Sequence, residues 1–557
     1  MACTTILIGK DASYDGSTII ARNEDSANGE FNPKRFIVVK PEDQPRHYRS
    51  VLSHVEVDLP EEPLQYTAVP NADPKEGIWG EAGVNEANVA MSATETLTTN
   101  ERVLGADPFV EFQPAKGCEG EEGYVPEVPG GIGEEDFVTL VLPYARTARE
   151  GVARLGALLE EFGTYEMNGT AFSDSNEIWW METVGGHHWI AKRVPDEAYV
   201  TMPNQLGIDE FDLEDALGDQ VNHMCSADLG EFIEENHLDL SVETTTPFNP
   251  RDAFGSHSDS DHVYNTPRAW VMQRFLNPYD EVWDGPDADH RPESNDIPWA
   301  RQPERKVTIE DIKYVLSSHY QGTPYDPYGK LGDEHTRHLY RPIGINRQSQ
   351  LSVMQIRPYR PQAYRAIQWI AYGSNPFNTL VPFYPNVNET PAYLEDTTTR
   401  VTTENFYWES RVIAALCDAA FADTSNAVER YQQKTGAMGH RFVADTDALV
   451  AGIDGVWNID DDETVEAAPA GDAADADAGA RGDIFGLDDE DDDADVQPMG
   501  DPDGIIAATR NAGVREALTA ANQRMADALK KETDDLLDAV LYTTSMKMKN
   551  GFHMSDF

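Results

Sequence analysis

The chain has 557 residues, of which 40% are hydrophobic and 9% aromatic, enough apolar material for a sizeable core. Its 99 acidic and 43 basic residues give a formal net charge of −56, and so acidic a surface repels nucleic acid. No run approaches the roughly 18 apolar residues of a membrane span, and the N-terminus lacks the basic and apolar regions of a signal peptide. We therefore expect a cytoplasmic protein with neither a nucleic-acid nor a membrane partner.

The cysteines and histidines give little support for a metal site. Four widely spaced cysteines form no CxxC pair, which argues against a zinc ribbon or a disulfide scaffold. Two histidine-containing segments, His257–His262 and Glu334–His338, lack the HExxH motif of many metallopeptidases. The sequence therefore predicts no metal and no cofactor.

The first predicted element is a β-hairpin at the start of the chain. Cys3 is followed by Thr4–Ile8, a run of β-branched and apolar residues typical of a strand. The turn dipeptide Asp15-Gly16 separates this run from Ser17–Ala21, which we interpret as the returning strand. The hairpin would bring the residues that follow Ala21 back beside Cys3.

Hydrophobic periodicity predicts both strands and helices further along the chain. Helical spacing marks Phe137–Phe162 as one helix or two short ones, and Tyr264–Phe275 begins a helix with Pro267 in its first turn. Alternation over Ser352–Tyr372 predicts two strands of a second sheet, and Asn405–Arg430 is typical of an amphipathic helix. Other predicted elements are the strands Arg35–Lys40 and Val89–Ala93, a hairpin over Glu177–Val194, and helical structure over Ile505–Val540.

The segment 460–503 differs in composition from the rest of the chain. It contains 18 acidic residues and one basic residue and is dominated by Asp, Ala and Gly. Such a segment cannot bury enough apolar surface to fold alone, so we expect a disordered insertion. The flanking segments, 1–459 and 504–557, are expected to form one catalytic domain, the second as its C-terminal helical part.

The residues around the predicted hairpin point to a reactive cysteine. If Met1 and Ala2 are removed, Cys3 carries a thiol and a free α-amine, and that amine is a suitable base at neutral pH. A nearby Arg22 favours the thiolate, and Asp25 can accept a hydrogen bond from the amine or the guanidinium. The alternative is a buried strand cysteine behind an ordinary start codon.

The same stretch resembles the N-terminal-nucleophile (Ntn) cysteine hydrolases, and most closely the dipeptidase A family of cysteine peptidases. The resemblance lies in Cys-Thr-Thr after Met-Ala, in Tyr14–Ser17 (Tyr-Asp-Gly-Ser) and in Ala21–Asp25 (Ala-Arg-Asn-Glu-Asp). Penicillin V acylases and conjugated bile salt hydrolases look like distant relatives. The resemblance implies an α+β fold, a four-layer αββα sandwich of two antiparallel sheets with helices on both outer faces. It also implies hydrolysis of dipeptides that have a free N-terminus, and leaves a homo-oligomer open.

Further site residues follow from this resemblance. Asn204 lies just beyond a strand pattern, where these hydrolases place an oxyanion-binding asparagine, although Asn after Met-Pro is also typical of a turn. Arg268 matches in pattern a second active-site arginine, with a surface salt bridge as the alternative. Thr94 and Glu95, just past a predicted strand, are candidates for the second oxyanion donor and for substrate contacts; a plain strand end is the alternative. Asn23 is a candidate supporting residue.

The mechanism that these residues favour is amide hydrolysis through a thioester acyl-enzyme. Several other functions stay open from the sequence. One is an acylase acting on non-peptide amides of the penicillin V or bile-salt type. Others are a metallodipeptidase, a non-catalytic binding protein of the same fold, and an acidic chaperone or histone-binding module that uses the segment 460–503.

Overall fold

The computed structural model describes residues 3–27, 29–242, 247–453 and 502–550. Met1, Ala2 and residues 460–501 of the predicted insertion lie outside the described residues, so the predictions made for them stay predictions. The strands in chain order are β1 (Cys3–Ile8), β2 (Thr18–Asp25), β3 (Ile37–Val39), β4 (His47–Arg49), β5 (Glu56–Asp58), β6 (Tyr66–Ala68), β7 (Ala82–Val84), β8 (Ala90–Thr96), β9 (Asn168–Ser173), β10 (Ile178–Val184), β11 (His188–Arg193), β12 (Tyr199–Met202), β13 (His223–Cys225), β14 (Ala300–Arg301), β15 (Gln348–Ile356), β16 (Ala366–Tyr372) and β17 (Val381–Phe383).

Helices of very different lengths accompany these strands. Short 3₁₀ turns occur at Pro41–Asp43, Pro74–Glu76, Leu142–Tyr144 and Gln362–Tyr364. The α-helices are α1 (Glu101–Ala106), α2 (Glu134–Val141), α3 (Ala148–Phe162), α4 (Leu213–Leu217), α5 (Leu229–Glu235), α6 (Pro250–Phe254), α7 (Asp261–Tyr264), α8 (Thr266–Leu276), α9 (Ile309–Val315), α10 (Ala392–Glu395), α11 (Phe406–Ala419), α12 (Phe421–Val450), α13 (Pro502–Thr509) and α14 (Ala512–Ser545).

Two large antiparallel sheets form the centre of the fold. One has the strand order β14-β12-β1-β2-β15-β16-β17, and the other has the order β13-β11-β10-β9-β8-β7. The sheets face each other across a buried cluster to which both contribute, for example Leu7, Ile20 and Met354 from the first and Trp180 and Ile190 from the second. The shared cluster excludes water from the space between the sheets and holds them together.

Helices cover the outer faces of both sheets. The outer face of the first sheet shares a core with residues of α8, α9 and α14, among them Met272, Ile312 and Leu518. The outer face of the second sheet packs on α2 and α3 through Phe137 and Leu155. These clusters confirm the predicted α+β class.

The register of the opening hairpin decides which side chains share a face. Cys3 pairs with Glu24, and Thr5 pairs with Arg22. Because side chains alternate along a strand, Cys3, Arg22 and Glu24 face the second sheet, whereas Asn23 and Asp25 face the helices on the outer side.

Most of the predicted elements are confirmed. The opening hairpin forms, with β2 continuing to Asp25, and the region Phe137–Phe162 contains two helices, α2 and α3. The hairpin β10–β11 turns at Gly185-Gly186, and α8 has a proline in its first turn.

Two predictions about partners and boundaries are wrong. Strands β15 and β16 belong to the same sheet as the opening hairpin, because β15 pairs with β2 along its length. Hydrophobic alternation shows that one face of a strand is more buried than the other, but it does not identify the strand with which it pairs. The single helix predicted over Asn405–Arg430 is two helices, α11 and α12, separated at Ala420, where φ is −137° and ψ is 39°. Alanine is the best helix former, so the sequence carries no signal for this break.

Two kinds of feature are absent from the described ranges. Within them, no helix is long and apolar enough to cross a membrane. The same ranges contain no group of three His, Cys, Asp or Glu side chains placed to hold a metal ion.

Candidate active site

Cys3 lies at the start of β1, with its side chain fully buried. The Nη2 atom of Arg22 donates a hydrogen bond to Cys3 Sγ over 2.8 Å. This contact follows from the hairpin register, which places the two side chains on neighbouring strands and on the same face. A guanidinium that donates to a sulfur stabilises the thiolate, which is the nucleophilic form of cysteine.

Arg22 is part of a buried network of charges. It contacts Glu81 over 2.5 Å and Glu134 over 2.7 Å, and Lys34 contacts Glu24 over 2.7 Å and Glu81 over 3.2 Å. All five side chains are 0% exposed. Buried charges are tolerated only when they are paired, so each cation here depends on its carboxylates, and Arg22 is held in one position.

The network sets the protonation of its own acids. Burial and the neighbouring Glu81 raise the pKa of Glu24 to about 8. Burial also opposes ionisation of Glu81, but Lys34 and Arg22 outweigh it and lower the pKa of Glu81. Glu24 therefore keeps its proton at neutral pH, which removes one negative charge from the neighbourhood of the sulfur.

The N-terminus of α2 is acidic, and its first residue contacts Arg22. Glu134 is the first residue of α2, and Glu134, Glu135 and Asp136 are all buried. Carboxylates are favourable at a helix N-terminus because of the helix dipole. The backbone N–H of Glu134 donates to Glu166 Oε1 over 2.9 Å, and burial together with Glu134 raises the pKa of Glu166 to about 7. Glu134 is thus connected to the Cys3 sulfur through Arg22, and Glu166 lies next to Glu134.

A second buried arginine holds the backbone of Cys3. Arg268 donates to the carbonyl oxygen of Cys3, and its Nη1 donates to Thr4 Oγ1 over 2.8 Å. Its Nη2 donates to Asn204 Oδ1 over 2.8 Å and to Asn265 Oδ1 over 2.7 Å. Arg268 is 0% exposed, so the alternative of a surface salt bridge is wrong.

Asn204 lies two residues beyond β12, as predicted. Its Oδ1 accepts from the backbone N–H of Cys3 over 3.2 Å as well as from Arg268. Two donors on the oxygen fix the orientation of the amide, so that its Nδ2 donors lie on the opposite side from Arg268. An oxyanion donor has to be the nitrogen end of the amide, which this orientation permits.

The loop that carries Asn204 is anchored to the second sheet and to α6. Glu182 of β10 accepts from the backbone N–H of Gly207 over 2.7 Å, and burial raises the pKa of Glu182 to about 7. Arg251 Nη2 donates to the carbonyl oxygen of Gly207 over 2.6 Å. A loop held at this point keeps Asn204 in position with little conformational freedom.

Asp25 and Asn23 lie on the outer face of β2. Arg341 pairs with Asp25 Oδ2, and Asp25 Oδ1 is buried without a hydrogen-bond partner among the described residues. Asn23 Nδ2 donates to the carbonyl oxygen of Leu316 over 2.8 Å, and Asn23 Oδ1 accepts from Asn375 Nδ2 over 2.6 Å. The Asn23 contacts tie β2 to two loops.

The positions predicted for Thr94 and Glu95 are wrong. They lie inside β8, which ends at Thr96, and not past the end of a shorter strand. The pairing of β8 with β9 shifts register between Ser92 and Glu95, so the strand is irregular at this point. The side chains of Thr94 and Glu95 are outside the described part of the structure, so their roles stay predictions.

Sequence reasoning missed three members of the charge network, Lys34, Glu81 and Glu134. Glu81 and Glu134 lie 59 and 112 residues from Arg22 in the chain, and no periodicity or spacing connects them or Lys34 with it. The only local signal was the run Gly133-Glu134-Glu135-Asp136, which is typical of a helix N-terminus and says nothing about a partner.

The arrangement is suited to nucleophilic attack on a carbonyl. A buried sulfur receives a hydrogen bond from a fixed cation, a second cation holds the same residue's backbone, and an amide is oriented next to both. Such groups activate a nucleophile and stabilise the negative charge that develops on the attacked oxygen.

Comparison with known proteins gives consistent matches. The model of Peptidase family C69 matches residues 2–434. A protein of Bifidobacterium longum (strain NCC 2705) named "Dipeptidase" is 79% identical over 557 residues, which is 100% of both chains. "Probable dipeptidase A" of Streptococcus pyogenes serotype M3 (strain SSI-1) is 50% identical over 557 residues, again 100% of both chains. "Dipeptidase A" of Lactobacillus helveticus is 44% identical over 456 residues, covering 81% of this chain and 90% of its own.

Proposed function

Because the chain belongs to peptidase family C69, we propose that it is a cysteine dipeptidase whose nucleophile is Cys3, freed of Met1 and Ala2. The observation that carries this proposal is the 2.8 Å hydrogen bond from Arg22 to Cys3 Sγ inside a fully buried charge network. A cysteine whose only task is to fill a core has no need of a guanidinium. The relatives named as dipeptidases support the substrate class.

The reaction proceeds in two steps. The Cys3 sulfur attacks the scissile carbonyl carbon, while the free α-amine of Cys3 takes the thiol proton. That proton passes to the leaving amine as the C–N bond breaks, which gives a thioester and releases the C-terminal amino acid. Water then attacks the thioester, gives a proton to the same α-amine, and releases the N-terminal amino acid and the thiol.

The surrounding residues have separate tasks in this mechanism. Arg22 favours the thiolate, and the Asn204 amide donates to the oxyanion, with Thr94 or Glu95 as the candidate second site. Arg268 holds the backbone of Cys3. Asp25, one residue beyond the Cys3–Glu24 pair, has a buried oxygen available to orient the freed amine.

Glu134 and Glu166 support a preference for a free N-terminus. A dipeptide carries its ammonium one carbon from the scissile carbonyl, so that group must lie close to the attacking sulfur. Arg22 Nη2 contacts both Cys3 Sγ, over 2.8 Å, and Glu134 Oε1, over 2.7 Å. An ammonium beside these carboxylates gains favourable charge interactions that an N-blocked substrate lacks.

The test compares unblocked dipeptides with N-acetyl dipeptides and with acyl amides of the penicillin V type. We expect turnover of the unblocked dipeptides alone, and its loss in Cys3→Ala. Cys225→Ala is the matched control, because Cys225 is also buried and burial raises its pKa to about 12, so its thiol is inert. Turnover of the blocked substrates alone would favour an acylase, and a fully active Cys3→Ala would end the proposal.

A further inference from the structure

A cavity of about 740 Å³ opens between α9, α12 and the segment that follows β16. It is separate from the candidate active site, since Cys3, Arg22, Asn204 and Arg268 are not among its lining residues. Its volume lies within the range of small-molecule sites, which is about 300 to 1,000 Å³. Its walls are largely apolar and aromatic, formed by Ile309, Tyr314, Trp369, Phe377, Leu380 and Phe421.

Lys313 places its amine at the wall of this cavity. Its Nζ donates to the carbonyl oxygen of Asn375 over 2.6 Å and to Ser317 Oγ over 2.9 Å. An ammonium has three donors, so these two acceptors leave one direction for a ligand. Burial alone lowers the pKa of Lys313 to about 7, and no neighbouring carboxylate opposes this effect.

Two of the three acids that line the cavity contact histidines, and the third, Glu429, is exposed to solvent. Glu310 Oε1 contacts His440 Nε2 over 2.5 Å, and Asp326 Oδ1 contacts His319 Nδ1 over 2.9 Å. Lys313 has no such ion pair among the described residues. The cavity therefore combines apolar walls with one cation that lacks a counter-charge, an arrangement that is costly until an anion binds.

We propose that this cavity is a second binding site, for a small carboxylic acid with an apolar body, whose carboxylate pairs with Lys313. The carboxylate supplies the missing counter-charge and accepts the third N–H of the ammonium. The apolar body is removed from water by the aromatic and aliphatic walls, which favours binding.

Two sources can supply this chemistry. One is an apolar amino acid released by hydrolysis, and this source rests on the proposed function. The other is a simple aryl or alkyl acid that has no connection with the reaction. L-Phenylalanine and 3-phenylpropionate differ only in the ammonium group, so a comparison of the two distinguishes the sources.

The first experiment is calorimetric titration of the full-length protein with L-phenylalanine, 3-phenylpropionate and the neutral 3-phenylpropionamide. We expect at least one of the acids to bind at least about tenfold more tightly than the amide, because only an acid can pair with Lys313. Equal binding of acid and amide, or no binding of any of them, would overturn the proposal whether or not the protein hydrolyses dipeptides.

The second experiment locates the bound acid. Lys313→Met keeps an unbranched side chain, one heavy atom shorter, and removes its charge, and we expect it to weaken acid binding at least about tenfold. Lys192→Met is the matched control, since Lys192 is also a half-buried lysine whose pKa is lowered by burial, and it does not line this cavity. Undiminished acid binding by a folded Lys313→Met would contradict the proposal. If that variant does not fold, the acid–amide comparison on the wild type decides.

Discussion

The two faces of strand β2 carry buried polar groups of different kinds. On the face toward the second sheet, Arg22 and Glu24 belong to a network of ionisable side chains that reaches the Cys3 sulfur. On the outer face, Asn23 makes neutral amide contacts to two loops, and Asp25 pairs with Arg341. The alternation of side chains along one strand therefore separates Arg22, which contacts the sulfur, from Asn23, which holds the strand in place.

This difference has an energetic reason. Charges beside a nucleophile change its protonation and stabilise developing charge, but they must be paired when they are buried. Neutral amides have little electrostatic effect at a distance, and their loss leaves unpaired polar groups. Substitutions of Arg22 and of Asn23, one from each face, should therefore affect different measurements, with activity changed by the first and stability by the second.

The largest effect is expected for Arg22→Lys. Lysine keeps a positive charge for Glu81 and Glu134 but does not reproduce the fork of guanidinium donors to the Cys3 sulfur. We expect kcat to fall about a hundred- to a thousand-fold, as for removal of one oriented donor. Alkylation of Cys3 by iodoacetamide should also require a higher pH.

A buried arginine remote from Cys3 provides the control for this variant. Arg357 is 2% exposed and pairs with Asp447 over 2.7 Å, so Arg357→Lys tests the cost of a generic buried substitution. If Arg22→Lys and Arg357→Lys had equal effects on kcat and on alkylation, Arg22 would have no special relation to the sulfur.

Asp25→Asn should have the next largest effect. Asparagine retains an oxygen for Arg341 but loses the negative charge that orients the freed amine in the proposed mechanism. We expect kcat to fall about ten- to a hundred-fold with little change in KM, within the range of a lost acid–base contribution. An unchanged kcat across the whole pH range would assign Asp25 to the structural contacts of the outer face.

Asn23→Ala tests the other side of the comparison. It removes the Asn23 contacts of the Leu316 carbonyl and the Asn375 amide, so we expect the free energy of unfolding to fall by about 1 to 2 kcal/mol. The value of kcat should stay within about threefold of the wild type, because Asn23 faces away from the sulfur. Chemical denaturation and steady-state kinetics on one preparation give both numbers. A large loss of kcat at normal stability would place Asn23 in the reaction.

The smallest effect on activity is expected for Glu24→Gln, which should change only how the free energy of unfolding depends on pH. Burial and Glu81 raise the pKa of Glu24 from 4.5 to about 8. Between these values the unfolded chain releases the proton and the folded chain keeps it, so this group makes the protein less stable as pH rises. Glutamine cannot ionise, and Glu24→Gln should therefore gain stability relative to the wild type as pH rises through this window. Denaturation at several pH values measures the difference, and a constant difference would contradict the assigned protonation.

The opening hairpin and its contact between Arg22 and Cys3 were predictable because they are local. A turn dipeptide, two β-prone runs and the alternation of side chains are enough to place these residues on neighbouring strands. Asn204 and Arg268 were found only through the family resemblance, since nothing in their spacing connects them with Cys3. The structure places both beside its backbone.

The charge network and the partner of β15 were not predictable, because both depend on contacts between separate segments of the chain. Glu81 and Glu134 contact Arg22, and Lys34 joins them through Glu81, only because separate elements pack together. In the sequence, each of these residues looks like any solvated charge. The pairing of β15 with β2 joins segments that are more than 300 residues apart. Hydrophobic alternation identifies a strand, but its partner is chosen by tertiary packing.

The most direct measurement is the intact mass of the active enzyme before and after reaction with a thiol alkylating agent, with the modified residue identified by peptide mapping. The account predicts a chain that begins at Cys3, with one alkyl group on Cys3 for each active site lost. A fully active enzyme that retains Ala2, or that stays active with Cys3 alkylated, would contradict it.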